Sequence, residues 1–330
     1  MRVGECFALG FHGYDLPQWL IDFERTFGLG GVVLFDYYTQ TKKYEMNIES
    51  REQLLSLTAS IHAMESRPLV LIDQEGGKVR RLKESKGFAP MPSQAAFQKL
   101  NRSEKITLAR ASYREMKELG IDMNLAPVVD LKTNLENPNI AKVDRAFSAD
   151  PKEVRESVEI LSDIAREAGI LLCLKHYPGL GGASVNSHDE FTDLSHCHTK
   201  TEEDIFYDLA PAIPGEAVMV GHGVIEAWEP GTPISVSKVG IGRLRKRLTN
   251  ALILSDDLQM QGLQFKYGSR EASRLGLLAG LDLVLIGNNM INQESECFSY
   301  AEFISKEIFR DNMLKTNVAA SIRRIAERKR

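Results

Sequence analysis

The stretch DPKEVRESVEILSDIAREAGILLCLKHYP, from Asp150 to Pro178, reads as a helix, a stop and a strand in one unit. Asp150 is placed to cap the helix, Pro151 takes the first helical position, where a missing N–H costs nothing, and Glu153 completes a capping box. Val154, Val158, Leu161 and Ala165 recur at helical spacing. Gly169 ends the helix, because glycine enters the left-handed conformation without steric cost, and the apolar run from Ile170 begins a strand. That strand runs into Lys175 and His176, so a reactive pair stands where an apolar element ends.

The same helix, glycine, strand junction recurs as Leu119-Gly120-Ile121 and Ala279-Gly280-Leu281. Working outward, eight short apolar runs follow one another at residues 6–10, 31–35, 69–73, 123–129, 170–174, 217–221, 251–254 and 281–286. Most are apolar on both faces, as parallel strands covered by helices are. With no linker or composition break between them, the pattern predicts an α/β fold, a single (β/α)8 barrel with residues 1–330 as one domain. A doubly wound open sheet would need a GxGxxG turn between a strand and a helix. The nearest glycine-rich stretch, Gly179-Leu180-Gly181-Gly182, leads instead into a polar segment with no helical period.

Composition narrows the function classes. Across 330 residues, 43% hydrophobic and 26% charged side chains suit a chain that buries a sizeable core. Lys and Arg total 41 against 45 Asp and Glu, a net charge of −4, so no basic excess points to nucleic acid. No apolar run approaches membrane-spanning length, and the first residues show no charged leader followed by an apolar stretch, so neither a membrane nor export is expected. Cys6, Cys173, Cys197 and Cys297 are far apart without CxxC spacing, which reads as reduced thiols in a cytoplasm.

In a barrel the chemistry sits at the C-terminal ends of the strands. Those ends carry Asp73-Gln74-Glu75, Asp130, Lys175-His176, His222 and Ser255-Asp256-Asp257, a coincidence that solubility does not explain. After the fifth strand, residues 179–200 lack periodicity and begin glycine-rich, as a mobile flap carrying His188 as a proton-transfer residue would. His196 and His198 lack nearby partners of metal-ligand spacing, so no metal is expected. The basic cluster from Arg323 to Arg330 is read as cations complementing the dipole of a final helix.

Taken in order, Gly30-Gly31-Val32-Val33-Leu34-Phe35, Asn47-Ile48-Glu49-Ser50, Ile72-Asp73-Gln74-Glu75-Gly76-Gly77-Lys78-Val79-Arg80-Arg81-Leu82, Asn124 to Asp130, Asp144-Arg145-Ala146-Phe147-Ser148, Lys175-His176-Tyr177-Pro178-Gly179 and Leu254 to Met260 form a specific series. With it the chain resembles the catalytic barrel of glycoside hydrolase family 3, and within that family the bacterial cytoplasmic β-N-acetylglucosaminidases of peptidoglycan recycling. The resemblance implies a retaining hydrolase acting on a small carbohydrate without a cofactor. It implies Asp256 as nucleophile, His188 as general acid and base, and Asp73, Arg81, Arg145, Lys175 and His176 as the residues holding the terminal sugar. Such a reaction needs a carboxylate on one face of the sugar and a proton donor on the other.

The chain departs from the family pattern in the flap, at Tyr177, Leu180, Gly182, Ala183 and Asn186. Asn186 stands where an aspartate would orient His188 and stabilise its cation. An amide can accept a hydrogen bond from the ring but supplies no charge, so weakened proton donation is expected. Two other readings stand beside the hydrolase: a glycoside phosphorylase, and a sugar-binding sensor that has lost efficient acid catalysis.

Overall fold

The computed structural model describes residues 1–184 and 192–329. Eight parallel strands close into a barrel: β1 (Phe7–Leu9), β2 (Gly31–Leu34), β3 (Leu69–Ile72), β4 (Met123–Asn124), β5 (Leu171–Tyr177), β6 (Ala217–Val220), β7 (Leu252–Asp257) and β8 (Leu283–Ile286). Each pairs with its neighbours in sequence, and β8 pairs with β1. Helices α1 (Gln18–Phe27), α2 (Arg51–His62), α3 (Arg102–Glu118), α4 (Pro151–Ala168), α5 (Lys200–Leu209), α6 (Lys238–Arg247) and α7 (Gln261–Ala279) lie between successive strands; α8 (Cys297–Glu307) and α9 (Asn312–Arg328) follow the last. The expected (β/α)8 barrel is the fold found.

Strand alternation builds two cores. Ala8, Val33, Leu71, Cys173, Ala217, Met219, Leu254 and Leu285 point inward and fill the barrel. Their neighbours Phe7, Leu9, Val32, Leu34, Val70, Ile72, Leu172, Val218, Ile253 and Val284 point outward and pack under the helices. Both faces of each strand are therefore apolar, which is why the strands read as continuous runs.

The strand limits differ from expectation where the chemistry lies. The regular β4 ladder ends at Asn124 rather than running to Val129; beyond Pro127, which has no N–H to give, Val128 bridges Lys175 of β5. By contrast, β5 and β7 reach beyond their apolar runs to include Lys175-His176 and Asp256-Asp257. Both carry a bulge there. Leu174 pairs with Val218 but Tyr177 with Val220, and Leu254 pairs with Leu283 but Asp257 with Leu285, so each strand holds one residue more than its partner. An extra residue bends the strand and re-aims its side chains. Consecutive residues can then face the mouth, where strict alternation would turn one of them away.

Helix ends follow local chemistry. Asp150 caps α4 by accepting the Lys152 N–H at 2.9 Å, and Pro151 is its first residue. Glu153 does not complete the box; the reciprocal pair forms on α3, between Asn101 and Glu104. Gly120, Gly169 and Gly280 are left-handed, with φ of 72°, 71° and 115°. A Cβ on Gly169 would meet nothing closer than Lys117 at 3.7 Å, whereas one on Gly120 would lie 2.7 Å from Thr58 Oγ1. Gly169→Ala should therefore cost the backbone strain alone, about 1 kcal/mol. Gly120→Ala should cost more, by overlap with Thr58. Urea unfolding midpoints of the two variants check the order.

Candidate active site

The C-terminal mouth of the barrel holds a pocket of about 160 Å³. Unlike the strand-end Asp130 and His222, the described residues to which the resemblance gives roles, Asp73, Arg81, Arg145, Lys175, His176 and Asp256, all line it. They come from the ends of β3, β5 and β7 and from the connections after β3 and β4. His188, Asn186 and Glu190 lie outside the described residues.

A lattice of charges fixes the wall. Lys175 Nζ donates to Asp73 Oδ1 at 2.8 Å and reaches Glu75 Oε1 at 2.6 Å. Arg145 grips Glu75 with two hydrogen bonds of 2.8 Å, through Nε and Nη2. Arg81 donates to Asp73 Oδ2 at 3.0 Å, and its guanidinium stands 5.1 Å from the centroid of the Phe35 ring. Burial alone would push the Asp73 and Glu75 carboxyls up. The cations outweigh it: Lys175 and Arg81 hold Asp73 well below the carboxylate range, and Arg145 and Lys175 hold Glu75 down to about 2. Lys175 is buried, which would weaken its charge, yet Asp73 and Glu75 keep its pKa above the usual value.

His176 is oriented from behind. Its Nδ1 lies 2.7 Å from Asp130 Oδ2, and its Nε2 lies 3.1 Å from Arg145 Nη2. Asp130 Oδ1 also accepts the His176 N–H at 3.2 Å and the Leu180 N–H at 2.8 Å. One buried carboxylate thus sets the imidazole and the start of the glycine-rich segment together.

Asp256 faces this wall from β7. Its Oδ1 accepts the Asp257 N–H at 2.8 Å. Burial pushes its carboxyl up, but His176, His222, that N–H and Lys175 outweigh it and hold the pKa below normal. The neighbouring Asp257 goes the other way. Burial pushes it up to about 7 against the N–H groups of Gln259 and Gly287, and the charge of Asp256 adds to the rise. The two adjacent acids are therefore unequal: Asp256 is the readily ionised one, suited to attack or to stabilise a cationic centre, while Asp257 ties β7 to the segment after β8.

Several strand-end residues serve the scaffold instead. Gln74 holds the turn at Arg81 and Leu82 through their N–H groups, Ser255 accepts the Leu285 N–H, and His222 lies between Ser235 Oγ and the Asp257 carbonyl. Tyr177 turns away from the pocket to Glu203 and Tyr207, at 3.1 and 3.0 Å. His198 packs on Trp228 and lies 3.8 Å from Glu203. Glu75 and Asp130 were legible as strand-end acids, but nothing in the sequence pairs them with Arg145 and His176. Asn289, beyond β8, also lines the pocket, and the strand-end rule could have found it.

An eight-stranded parallel barrel thus gathers an ionised carboxylate and fixed cations around one pocket at its C-terminal mouth. The chain belongs to glycoside hydrolase family 3: residues 25–327 match the family described as glycosyl hydrolase family 3 N terminal domain. It is 35% identical over 260 residues to a beta-hexosaminidase of Haemophilus influenzae, covering 74% of this chain and 71% of that protein. Among solved structures, a fungal multi-domain GH3 beta-N-acetylglucosaminidase superposes with a TM-score of 0.86 at 24% identity over 99% of this chain, which spans only 39% of that one. The beta-N-acetylhexosaminidase of Beutenbergia cavernae superposes with a TM-score of 0.84 at 23% identity, covering 99% of this chain and 97% of that one.

Glu75→Gln tests the lattice. It removes the carboxylate that Arg145 grips and one of the two beside Lys175, and should cost about 3 kcal/mol at neutral pH. The folded Glu75 sits near 2 against an ordinary 4.5, so its contribution is complete above about 4.5 and is lost as pH falls through about 2. The stability gap between parent and variant should close over that window, as followed by urea unfolding at a series of pH values.

Proposed function

We propose that this protein is a retaining glycosidase that removes terminal β-linked N-acetylglucosamine, or a related sugar, from cell-wall-derived or other glycosides in the cytoplasm, with the chain as one catalytic unit. The observation that carries the reading is the depressed pKa of Asp256 in a pocket shared with Asp73, Arg81, Arg145, Lys175 and His176. The names of the curated relatives support the same substrate class.

In the first step the Asp256 carboxylate attacks the anomeric carbon, forming a glycosyl ester as the bond to the leaving oxygen breaks. That oxygen takes a proton from the His188 imidazolium. In the second step His188 takes a proton from water, the hydroxide oxygen bonds to the anomeric carbon, and Asp256 leaves as a carboxylate. Arg81, Arg145 and Lys175 donate to sugar oxygens. Because salt bridges already hold them in place, little ordering is left for binding to supply. Asn186 positions His188 without adding charge.

Three measurements test this. Asp256→Ala should abolish release of the phenol from an aryl N-acetyl-β-glucosaminide, and a 2-fluoro activated sugar should leave a covalent adduct on the peptide containing residues 254–260; an adduct elsewhere in an active enzyme sinks the assignment. Arg145→Ala should weaken binding or turnover by about ten- to a hundredfold, since a hydrogen bond to a charged group is worth roughly 1.5–3 kcal/mol. Asn186→Asp should raise activity on alkyl-type linkages more than on activated aryl glycosides, which depart with little acid help. Glu190→Gln, compared on the same two substrates, shows whether Glu190 supplies the charge that Asn186 lacks. If neither substitution moves the ratio of the two activities, proton donation does not limit the reaction.

A further inference from the structure

The opposite, N-terminal end of the barrel carries a second concavity, of about 390 Å³, between the starts of β3 and β5 and the end of α9. Its walls present Arg67, Lys117, Arg328 and Lys329. The only carboxylate among the described lining residues is Asp122, whose Oδ2 is already committed to the Val70 N–H at 2.8 Å and to His62 Nε2 at 2.9 Å.

Two of these cations, Arg328 and Lys329, close the final helix and also reach other elements. Lys329 Nζ donates to the Leu29 and Ser66 carbonyls at 3.1 and 2.9 Å, and Arg328 donates to those of Gly215 and Asn250 at 2.9 and 2.7 Å and pairs with Glu327 at 3.3 Å. The end of α9 is thereby pinned across the closed end of the barrel, in addition to placing cations at the helix C-terminus.

Donors outnumber acceptors here. An ammonium has three N–H groups and a guanidinium five. Lys117 makes one long contact, 3.3 Å to the Gly169 carbonyl, and Arg67 makes no side-chain hydrogen bond or ion pair among the described residues. Burial lowers the pKa of Lys329 despite the opposing charges of Glu5 and Glu24, so an anion beside it would stabilise its charged form. The backbone supplies an independent sign. Arg67 has φ of 45°, a conformation that glycine adopts freely and an L side chain only at a cost. Strain of this kind persists where the side chain has a task.

We propose that this concavity is a binding site for a phosphate dianion, separate from the sugar pocket. Ammonium and guanidinium donors approach from several sides, as a tetrahedral phosphate accepts them. A planar carboxylate would be satisfied by one guanidinium fork. The space beyond a phosphate group suits a monoester as well as the free ion.

Isothermal titration of the full chain with inorganic phosphate and with glucose 6-phosphate, at pH 7.5 and constant ionic strength in potassium chloride, tests this. Fixed ionic strength removes general screening. Expected is saturable one-to-one binding, weakened at least tenfold by Arg67→Ala and by Lys117→Gln, and unaffected by saturating N-acetylglucosamine. Tighter binding of the ester identifies a phosphorylated metabolite as the ligand, and equal binding identifies free phosphate. Heat that does not saturate, binding unchanged in both variants, or displacement by the sugar overturns the proposal. Both variants are surface changes, and a thermal unfolding midpoint for each confirms that a lost signal is not lost fold.

Discussion

Pairing Glu75 with both Arg145 and Lys175 is the interaction on which the mouth of the barrel depends. A buried ammonium or carboxylate cannot stand alone, because losing hydration costs several kcal/mol per ion even after relaxation. Each member of the lattice is tolerable only because the next is in place. Lys175 is buried and charged because Asp73 and Glu75 flank it, and Glu75 is almost fully buried because Arg145 grips it from the other side. Such a lattice adds little net stability over an apolar core of similar volume. Its value is geometric, since one arrangement satisfies all the members at once and a shifted one strands a charge.

That geometry sets the acidity of the site. Asp73 and Glu75 take the hydrogen bonds of Lys175 and Arg145, so those cations act on Asp256 through their charge rather than as its hydrogen-bond donors. Asp256 owes its lowered pKa chiefly to His176 and His222, with the Asp257 N–H and Lys175 adding to them. The protein therefore keeps two adjacent acids in different states. The strand bulge lets both approach the mouth, while burial and the charge of Asp256 hold Asp257 towards its neutral form.

The replaced residues of the glycine-rich segment have structural consequences that can be followed as far as Ser184. Leu180 lines the mouth pocket with an apolar side chain, and its N–H donates to Asp130. Gly182 packs against Cys197, so closely that an added Cβ would lie 2.9 Å from the Cys197 Cβ. A larger residue there would force the chain aside. Tyr177 uses its hydroxyl in a buried cluster with Glu203 and Tyr207, which anchors the end of β5 to α5. The sequence departures thus come with partners of their own, and the segment is joined through Asp130 to the His176 ring.

The barrel was legible in the sequence because its determinants are local. Apolar runs bounded by Gly120, Gly169 and Gly280 report strands and stops within a few residues, and a parallel sheet buried on both faces leaves the plainest hydrophobic signal there is. The strand-end rule likewise brought Asp73, Lys175, His176 and Asp256 to one rim without coordinates. Partnership was not legible. Arg145 meets Glu75 across 70 positions and His176 meets Asp130 across 46, and no local pattern encodes a contact made by closing a barrel. Nor does periodicity reveal a bulge, which adds one residue to a strand without altering its composition. Tertiary structure alone decided that consecutive acids would face one pocket with different affinities for a proton, because only the packed barrel fixes how much water and how many charges each of them meets.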